Sequence, residues 1–291
     1  MSEFPIPVRV VGPGSQPEDD VELDYLPMPT GMNTFAMPRV PEKVDPAALA
    51  ASRDLLAGLL AALKAWDPDS GAPGPRIDMS GIDDAAREIT NQMLGEGEVA
   101  IQIRGERPWR IQESVFTGLW RCCEFDAQGR LRADWLEAGA LPGVTVQAAL
   151  EAAAPGLPAI DWPAGAMNSP ALVAEIAGQL NTRDPAARAH VVNLSLLPLT
   201  PDALAVLGRA LPPGPVAMIS RGFGNCHVSS TLTRDVWRVQ YFNNMNTLIL
   251  DTLEVVTVPE VALASSEDLA DSRERLTELL QWLDESVAEQ G

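Results

Sequence analysis

Apolar residues recur along this chain with the spacing of helices in some stretches and with the alternation of strands in others. After Asp45-Pro46, an N-cap residue followed by a proline at the first helical position, leucines at helical spacing predict a helix over about 46–66. A second helix is predicted at about 83–94, after a short strand that carries Ile77 and Met79 on one face. Alternating residues then predict four strands, at about 98–104, 109–116, 119–126 and 131–138.

The same pattern occurs a second time, 117 residues further along the chain. Residues 46–144 align with residues 163–261 without a gap, and 25 of the 99 aligned pairs are identical. Trp120-Arg121 aligns with Trp237-Arg238, for example, and Asp134 aligns with Asp251. Leu194 and Leu196 align with Ile77 and Met79, so we expect them on a matching short strand. Self-similarity at a fixed period indicates a tandem duplication.

The sequence therefore predicts an α+β fold, a tandem duplication of a helix–strand–helix–four-strand unit with mixed sheets. Each strand–helix–strand part should be a right-handed crossover, and the remaining strands an antiparallel meander. We expect an extended Pro/Met-rich arm at 1–44, a first repeat at 45–160 and a second repeat at 161–291. The second repeat ends in an acidic helix from about Ser266, whose start fits a capping box of Ser265 and Asp268.

Charge and composition exclude several classes of function. The 291-residue chain has 21 basic and 40 acidic residues, a net charge of −19, so nucleic acid and anionic membrane surfaces are disfavoured partners. Three cysteines, an odd number, indicate a reducing compartment. The first ten residues do not resemble a signal peptide, and the longest strongly apolar run, 55–63, is too short to span a bilayer. We expect a cytoplasmic protein with no membrane insertion.

The chain has only two histidines and three cysteines, so few side chains are suited to catalysis or metal binding. Cys226 and His227 are adjacent on a predicted strand, where neighbouring side chains point to opposite faces, so neither can activate the other. The chain has no Cys-x-x-Cys and no His-Glu-x-x-His motif. We therefore predict no enzyme activity and no cofactor. Cys226 and His227 remain weak metal candidates if they converge with Cys122 or Cys123.

One short segment differs strongly between the two copies. The second copy reads Arg-Gly-Phe-Gly-Asn-Cys-His at 221–227, whereas the first reads Gly-Glu-Arg-Pro-Trp-Arg at 105–110. A fold needs its packing residues twice, whereas a binding site is usually needed once. Asn225, His227 and Ser229, which we call the second-half rim, are therefore candidates for partner binding. The alternative is a glycine-rich turn that only lets the strand bend. By the same logic, the repeated Trp and Arg residues belong to the framework, with each Arg paired to an acidic residue.

Several longer motifs resemble one known family. They are Asn-Cys-His-Val-Ser-Ser-Thr at 225–231, Val-Trp-Arg-Val-Gln-Tyr-Phe-Asn at 236–243, Asp-Thr-Leu-Glu-Val at 251–255, Val-Pro-Glu-Val at 258–261, Ile-Pro-Val-Arg-Val-Val-Gly-Pro-Gly-Ser-Gln-Pro at 6–17 and Leu-Pro-Met-Pro at 26–29. Together they resemble the HupH/HyaF family of hydrogenase expression/formation proteins, over nearly the whole chain.

The resemblance implies an accessory protein or chaperone in the maturation of nickel–iron hydrogenase. Its partners would be the hydrogenase small-subunit precursor and other maturation proteins, and it would bind this precursor or assist its assembly with the large subunit. A precursor of this type carries a twin-arginine signal, which an acidic surface would attract. The candidate partner-binding residues are Asn225, His227, Ser229, Arg238, Tyr241, Asn243 and Asn244.

Two other functions remain open. One is a metallochaperone or metal-dependent factor that delivers nickel or iron through Cys and His residues. The other is a small-molecule enzyme, which would need a polar pocket between the two copies.

Overall fold

A computed structural model describes residues 45–290, apart from 164–165, 167, 186 and 222–224, and apart from the side chains of 286–290. The predicted arm at 1–44 and most of the glycine-rich turn lie outside the described residues. The elements in chain order are α1 (Pro46–Ala65), β1 (Arg76–Asp78), α2 (Asp84–Leu94), β2 (Val99–Ile103), β3 (Trp109–Glu113), β4 (Leu119–Phe125), β5 (Leu131–Ala138), α3 (Gly143–Ala152), α4 (Ser169–Thr182), β6 (His190–Asn193), α5 (Pro201–Ala210), β7 (Pro213–Ser220), β8 (Asn225–Thr231), β9 (Val236–Phe242), β10 (Leu248–Val255) and α6 (Ser266–Gln290).

The ten described strands form one continuous sheet in the order β1-β5-β4-β3-β2-β7-β8-β9-β10-β6. An α+β fold was predicted correctly, but the prediction of mixed sheets is wrong, because every neighbouring pair of named strands is antiparallel. The reason is the number of chain reversals. Three hairpins separate β2 from β5, so β5 runs opposite to β2. The crossover makes β1 parallel to β2, as predicted. In the sheet, however, β1 lies beside β5, to which it is antiparallel.

The two halves of the sheet meet at an antiparallel pair, β2 with β7. In this pair Ile101 lies opposite Met218, and these two residues are themselves 117 positions apart. The strand order on either side of this pair is the same when it is read outward, and Trp120 and Trp237 lie on the matching strands β4 and β9. Both flanks also use a matched glycine. A Cβ atom on Gly97 would lie 2.1 Å from the Ser114 carbonyl oxygen, and one on Gly214 would lie 2.4 Å from Ser230 Oγ.

The sheet has two different faces. On the face that carries Trp120, Cys122, Trp237 and Val239, helix α3 packs against the central strands, and we call this the α3 face. On the opposite face, α1 and α2 cover the outer strands of the first half, and α4 and α5 cover those of the second half. We call this the helix-flanked face. Between the two helix pairs it carries the exposed side chains of Gln102, Arg110 and Ile219.

Helix α6 follows the second repeat in sequence but packs in the first half. Its apolar stripe of Leu276, Leu279, Leu280 and Leu283 is buried in the same cluster as α1 and α2. Its start has the predicted capping box: Ser265 Oγ accepts from the Asp268 amide at 3.1 Å, and Asp268 Oδ2 accepts from the Ser265 amide at 3.2 Å. The division at 160/161 stays a prediction, since one sheet runs through both halves and α6 crosses between them.

Helix α1 is the one helix among those described whose length and composition would allow it to cross a membrane. Core helices of globular proteins meet the same two criteria. In this structure its Leu56, Leu59, Leu60 and Leu63 are buried against α2 and α6. This packing is that of a core helix.

Two local features differ from the sequence-based expectation. Leu194 and Leu196 do not lie on a strand; the strand β6 ends at Asn193, and residues 194–196 form a 3₁₀ turn. The side chain of Asn193 stabilises this turn because its Oδ1 accepts from the Ser195 amide at 3.0 Å. Helix α3 was not predicted, because its residues show little amphipathic spacing and it carries no side-chain cap.

Candidate partner-binding site

The second-half rim lies on β8 and faces the helix-flanked side of the sheet. Strand alternation places Asn225, His227 and Ser229 on this side, where each is half-buried, and Cys226 and Val228 in the core under the α3 face. Asn225 donates through Nδ2 to Asn246 Oδ1 at 3.3 Å. The rim thus lies beside the central strands, which no described helix covers on this side, and next to Ile219, which is directly opposite His227 in the sheet.

His227 packs against an aromatic ring, and its counterpart in the first half does the same. The His227 and Phe242 ring centroids are 4.8 Å apart. At the matched positions, the Arg110 guanidinium carbon lies 5.1 Å from the centre of the Phe125 ring. The geometry is repeated, but an imidazole in one half replaces a permanent cation in the other. The two ends of the central face therefore offer different hydrogen-bonding chemistry.

Tyr241 lies on the other face of the sheet from the rim. It packs in the core cluster under α3 and is hydrogen-bonded to Cys226. Burial, with a smaller contribution from Cys226, raises the pKa of Tyr241 to about 12. Burial also raises the pKa of the Cys226 thiol, although the Tyr241 hydrogen bond lowers it. Both groups are therefore neutral at physiological pH, and Cys226 is not available as a thiolate.

Asn243 and Asn244 lie in the hairpin between β9 and β10. The Asn243 side chain is engaged by its own hairpin, because its Oδ1 accepts from the amides of Met245 and Thr247, both at 2.9 Å. Asp126 makes the same contacts in the first half, with the amides of Gln128 and Arg130. This side chain therefore shapes the turn, whereas Asn244 is exposed.

Arg238 forms the framework pair that the repeat predicts. Its Nε and Nη2 donate to Asp251 at 2.8 and 2.6 Å, and the hydrogen bonds and charge of Asp251 raise the pKa of Arg238 above its usual value. The arginine side chain is 39% exposed, whereas the Asp251 side chain is 6% exposed. Its outer edge faces a cavity.

That cavity, about 160 Å³, lies between α5 and the strands β8 to β10. It brings Ser229 and Arg238, two predicted residues, together with Gln240. The other lining residues are Leu194, Leu204, Leu207, Gly208, Leu211, Pro213, Ser230, Thr231 and Leu253. Sequence reasoning did not find this cavity. The available signal was the alignment of Leu204 and Gly208 in α5 with two polar residues of α2, Arg87 and Asn91.

The weak metal candidates are not brought together. Cys226 and His227 lie on opposite faces of β8, and Cys122 is buried in the cluster under α3, where burial holds its pKa well above its usual value. In the part of the chain that the structure describes, no group of three or more His, Cys, Asp or Glu side chains is arranged to hold a metal ion.

Negative charge is concentrated on α6. The helix carries eight acidic and two basic residues. Glu267, Asp271, Glu274 and Glu278 are exposed, because the apolar stripe faces α1. Two acids of the helix are ion-paired: Asp271 accepts from Arg275 at 3.3 Å, and Asp284 accepts from Arg53 of α1, a contact that lowers the pKa of Asp284. The outer surface of α6 is therefore the acidic surface that the sequence predicts.

Comparisons with known proteins identify the family. The family described as "HupH hydrogenase expression protein, C-terminal conserved region" matches residues 49–159 and again residues 166–283. This chain belongs to that family. It is 44% identical to the hydrogenase expression/formation protein HoxQ of Cupriavidus necator, a match that covers 97% of this chain and 99% of the relative.

Other relatives carry related names. The hydrogenase expression/formation protein HupH of Rhodobacter capsulatus is 39% identical (97% of this chain, 98% of the relative). The hydrogenase-1 operon protein HyaF of Escherichia coli is 32% identical (96% and 97%). A solved structure, the hydrogenase expression protein HupH from Thiobacillus denitrificans, is 30% identical and covers 40% of this chain and 96% of its own length, with a TM-score of 0.37. The relatives are thus hydrogenase expression/formation proteins, which supports a role in hydrogenase maturation.

Proposed function

We propose that this protein is a non-catalytic accessory protein of nickel–iron hydrogenase maturation that binds the hydrogenase small-subunit precursor in the cytoplasm. The observation that carries the proposal is the family match over both halves of the chain, together with the names of its full-length relatives. The two predicted residues with the chemistry for catalysis or metal binding, Cys226 and His227, face opposite sides of a strand. Binding is therefore the activity that the arrangement supports best.

The acidic surface supplies the first encounter. A precursor that carries an arginine-bearing signal is attracted by the exposed carboxylates of α6 and by the net charge of −19. Attraction between exposed charges is screened beyond about 10 Å at 0.1 M salt, so it accelerates association more than it determines specificity. Specific binding needs partly buried anchors in addition.

The helix-flanked face of the second half supplies those anchors. There the imidazole of His227 lies beside Phe242, next to Asn225, Ser229 and the exposed Ile219. An aromatic ring, an aliphatic side chain and several hydrogen-bonding groups on a rigid sheet match the composition of interface centres.

Titration of the purified precursor with matched variants of the two halves tests this proposal. We expect His227→Ala to weaken binding about tenfold, because it removes a partly buried anchor. The matched first-half variant, Arg110→Ala, should change affinity less than about twofold. Raising the salt concentration should slow association. If the precursor does not bind, the proposed function is wrong; if both variants act equally, the assignment to the second half is wrong.

We also propose that the chain arose by tandem duplication of one α+β unit. Support comes from the gapless alignment, from the two successive matches to one family and from the strand order on either side of the β2–β7 pair. An experimental structure provides the test. Residues 117 positions apart should superpose over β2 to β5 and β7 to β10, and placement of Trp120 and Trp237 on dissimilar strands would contradict the duplication.

A further inference from the structure

Among the described residues, α2 side chains fill the space between helix and sheet in the first half, whereas a cavity remains in the second half. In the first half, Arg87 and Asn91 of α2 reach the buried pair of Arg121 and Asp134: Arg87 Nε lies 3.2 Å from Asp134 Oδ2, and Asn91 Oδ1 accepts from Arg121 Nη1. The residues 117 positions later on α5 are Leu204 and Gly208. They leave the cavity of about 160 Å³ beside the pair of Arg238 and Asp251.

The empty space has the chemistry of a small binding pocket. Five leucines form most of its walls, and its polar side chains are Ser229, Gln240, Arg238, Ser230 and Thr231. The last two are engaged elsewhere: Ser230 Oγ accepts from the Val216 amide, and Thr231 Oγ1 donates to the Val236 carbonyl. Nε and Nη2 of Arg238 are used by Asp251, and among the described residues no atom accepts from its Nη1, the atom that Asn91 satisfies in the other half. Leu204, at the mouth of the pocket, is 39% exposed. The pocket thus combines apolar walls with an unused donor at Arg238 Nη1, beside the polar side chains of Ser229 and Gln240.

We infer that this pocket binds one apolar side chain of a partner polypeptide, with the neighbouring backbone carbonyl of that polypeptide accepting from Arg238 Nη1. The volume is below the several hundred Å³ of cofactor sites and matches a single inserted side chain. Asp251 already neutralises Arg238, so a neutral carbonyl complements the remaining N–H groups better than a second carboxylate does. The inference rests on the proposed function in that the partner is the small-subunit precursor.

The pocket can be filled with the residues that fill the matched space in the first half. The double variant Leu204→Arg/Gly208→Asn places the first-half residues on α5, and a Cβ atom at Gly208 meets no atom within 4 Å. The matched control makes the same substitutions one residue along the helix, Ala205→Arg/Arg209→Asn, at exposed positions that do not line the pocket. Circular dichroism should show both variants folded.

The probe is N-acetyl-leucine N-methylamide, titrated into the full-length protein and followed through the methyl resonances of Leu207 and Leu253, which line the pocket and are kept in every variant. We expect saturable shifts with a dissociation constant on the order of 1 mM, as its size allows. The pocket-filling variant should weaken binding at least about tenfold, the control variant should bind as the wild type does, and the alanine analogue should bind more weakly. Absence of saturation at tens of millimolar, or equal effects of both variants, would overturn the pocket. Tighter binding of N-acetyl-leucine, with its free carboxylate, would overturn the neutral acceptor.

Precursor binding separates this inference from the proposed function. If the leucine probe binds in the pocket but the wild-type protein does not bind the precursor, the proposed function fails and the pocket stands. If the pocket-filling variant binds the precursor as the wild type does, the precursor does not use the pocket, whereas the proposed function stands. Loss of at least about tenfold in precursor affinity in that variant alone supports both.

Discussion

The two halves of this protein contribute the same order of strands to one sheet, but the side chains that pack on these strands differ. Each half has a buried tryptophan and an Arg–Asp pair at matched positions on its third and fourth meander strands. In the first half, side chains from α2 close over the pair, and α6 adds a further layer to the helical cluster. In the second half, the corresponding helix leaves a cavity, and the nearby strand carries a histidine in place of an arginine.

Under the proposed function, this difference distinguishes framework residues from the partner-binding surface. Residues kept in both copies, such as Trp120 and Trp237, are explained by their role in the fold, because each tryptophan is buried and donates its indole N–H to a backbone carbonyl. In the first half, α2 side chains pack onto the Arg–Asp pair, although the central strands of that half also line an open groove beside Arg121. In the second half, a cavity remains between α5 and the sheet. Under the proposed duplication and function, one copy supports the fold and the other presents the partner-binding surface.

The largest effect should come from removing the buried carboxylate of each half. Asp134 is bound by Arg121 at 2.9 Å and lies 3.2 Å from Arg87, close enough for an ion pair although not aligned as a hydrogen bond. Asp134→Asn should lower the free energy of unfolding by about 3 kcal/mol, since two partly buried guanidinium groups lose their counter-charge. Asp251→Asn should cost about 1–2 kcal/mol less, because water can solvate the more exposed Arg238. Urea unfolding at pH 7 measures both, and an equal or larger cost for Asp251→Asn would break the comparison.

The second-largest effect should be a pH-dependent change in stability that arises in the first half alone. Glu113 is buried in the first half where the second half has Ser230, and burial raises its pKa to about 7 despite a hydrogen bond from the Gly118 amide at 3.0 Å; the charges of Glu98 and Asp268 add to the rise. The folded protein therefore holds a proton that the unfolded chain releases at lower pH. The stability from this group is fully present below about pH 4.5 and is lost as the pH rises through about 7.

Replacing the carboxyl group should remove that loss. We expect Glu113→Gln to raise the free energy of unfolding by about 1–2 kcal/mol at pH 8 and to leave it nearly unchanged at pH 4.5. Urea titrations at the two pH values measure the change. Ser230→Ala, the matched control, should alter stability equally at both. A Glu113→Gln effect that does not depend on pH would show that the group does not titrate as stated.

The smallest effect should come from the tips of the two matched hairpins. Gly129 has φ 77° and Asn246 has φ 56°, so both residues adopt the left-handed conformation. Gly129→Ala should cost about 1 kcal/mol, because a Cβ atom is strained there. Asn246→Gly should change stability by less than about 0.5 kcal/mol, since asparagine tolerates this region. Thermal unfolding compares the two, and an unaffected Gly129→Ala variant would count against strain at this turn.

The sequence predicted the local elements well because their signals are local. The cap before α1, the capping box of α6, the meander strands and the two hairpin loops each depend on residues only a few positions apart. The alignment at a shift of 117 residues also showed which residues of the two halves would occupy equivalent positions. It could not show which face of which strand would remain uncovered, because that depends on how distant helices pack.

Only the tertiary structure showed how the two halves join and where each candidate residue lies. The pairing of β2 with β7 creates one antiparallel sheet, and α6 returns to the first half because its leucines complete the cluster of α1 and α2. Tyr241 faces the α3 side although it is paired with the strand that carries the rim, and Ser229 and Arg238 both line the cavity. That cavity exists because Leu204 and Gly208 on a separate helix do not reach the sheet as Arg87 and Asn91 do. The sequence alone shows the periodicity of each element and which residues of the two halves correspond. A cavity is different, because it depends on side chains that the fold brings together from distant segments.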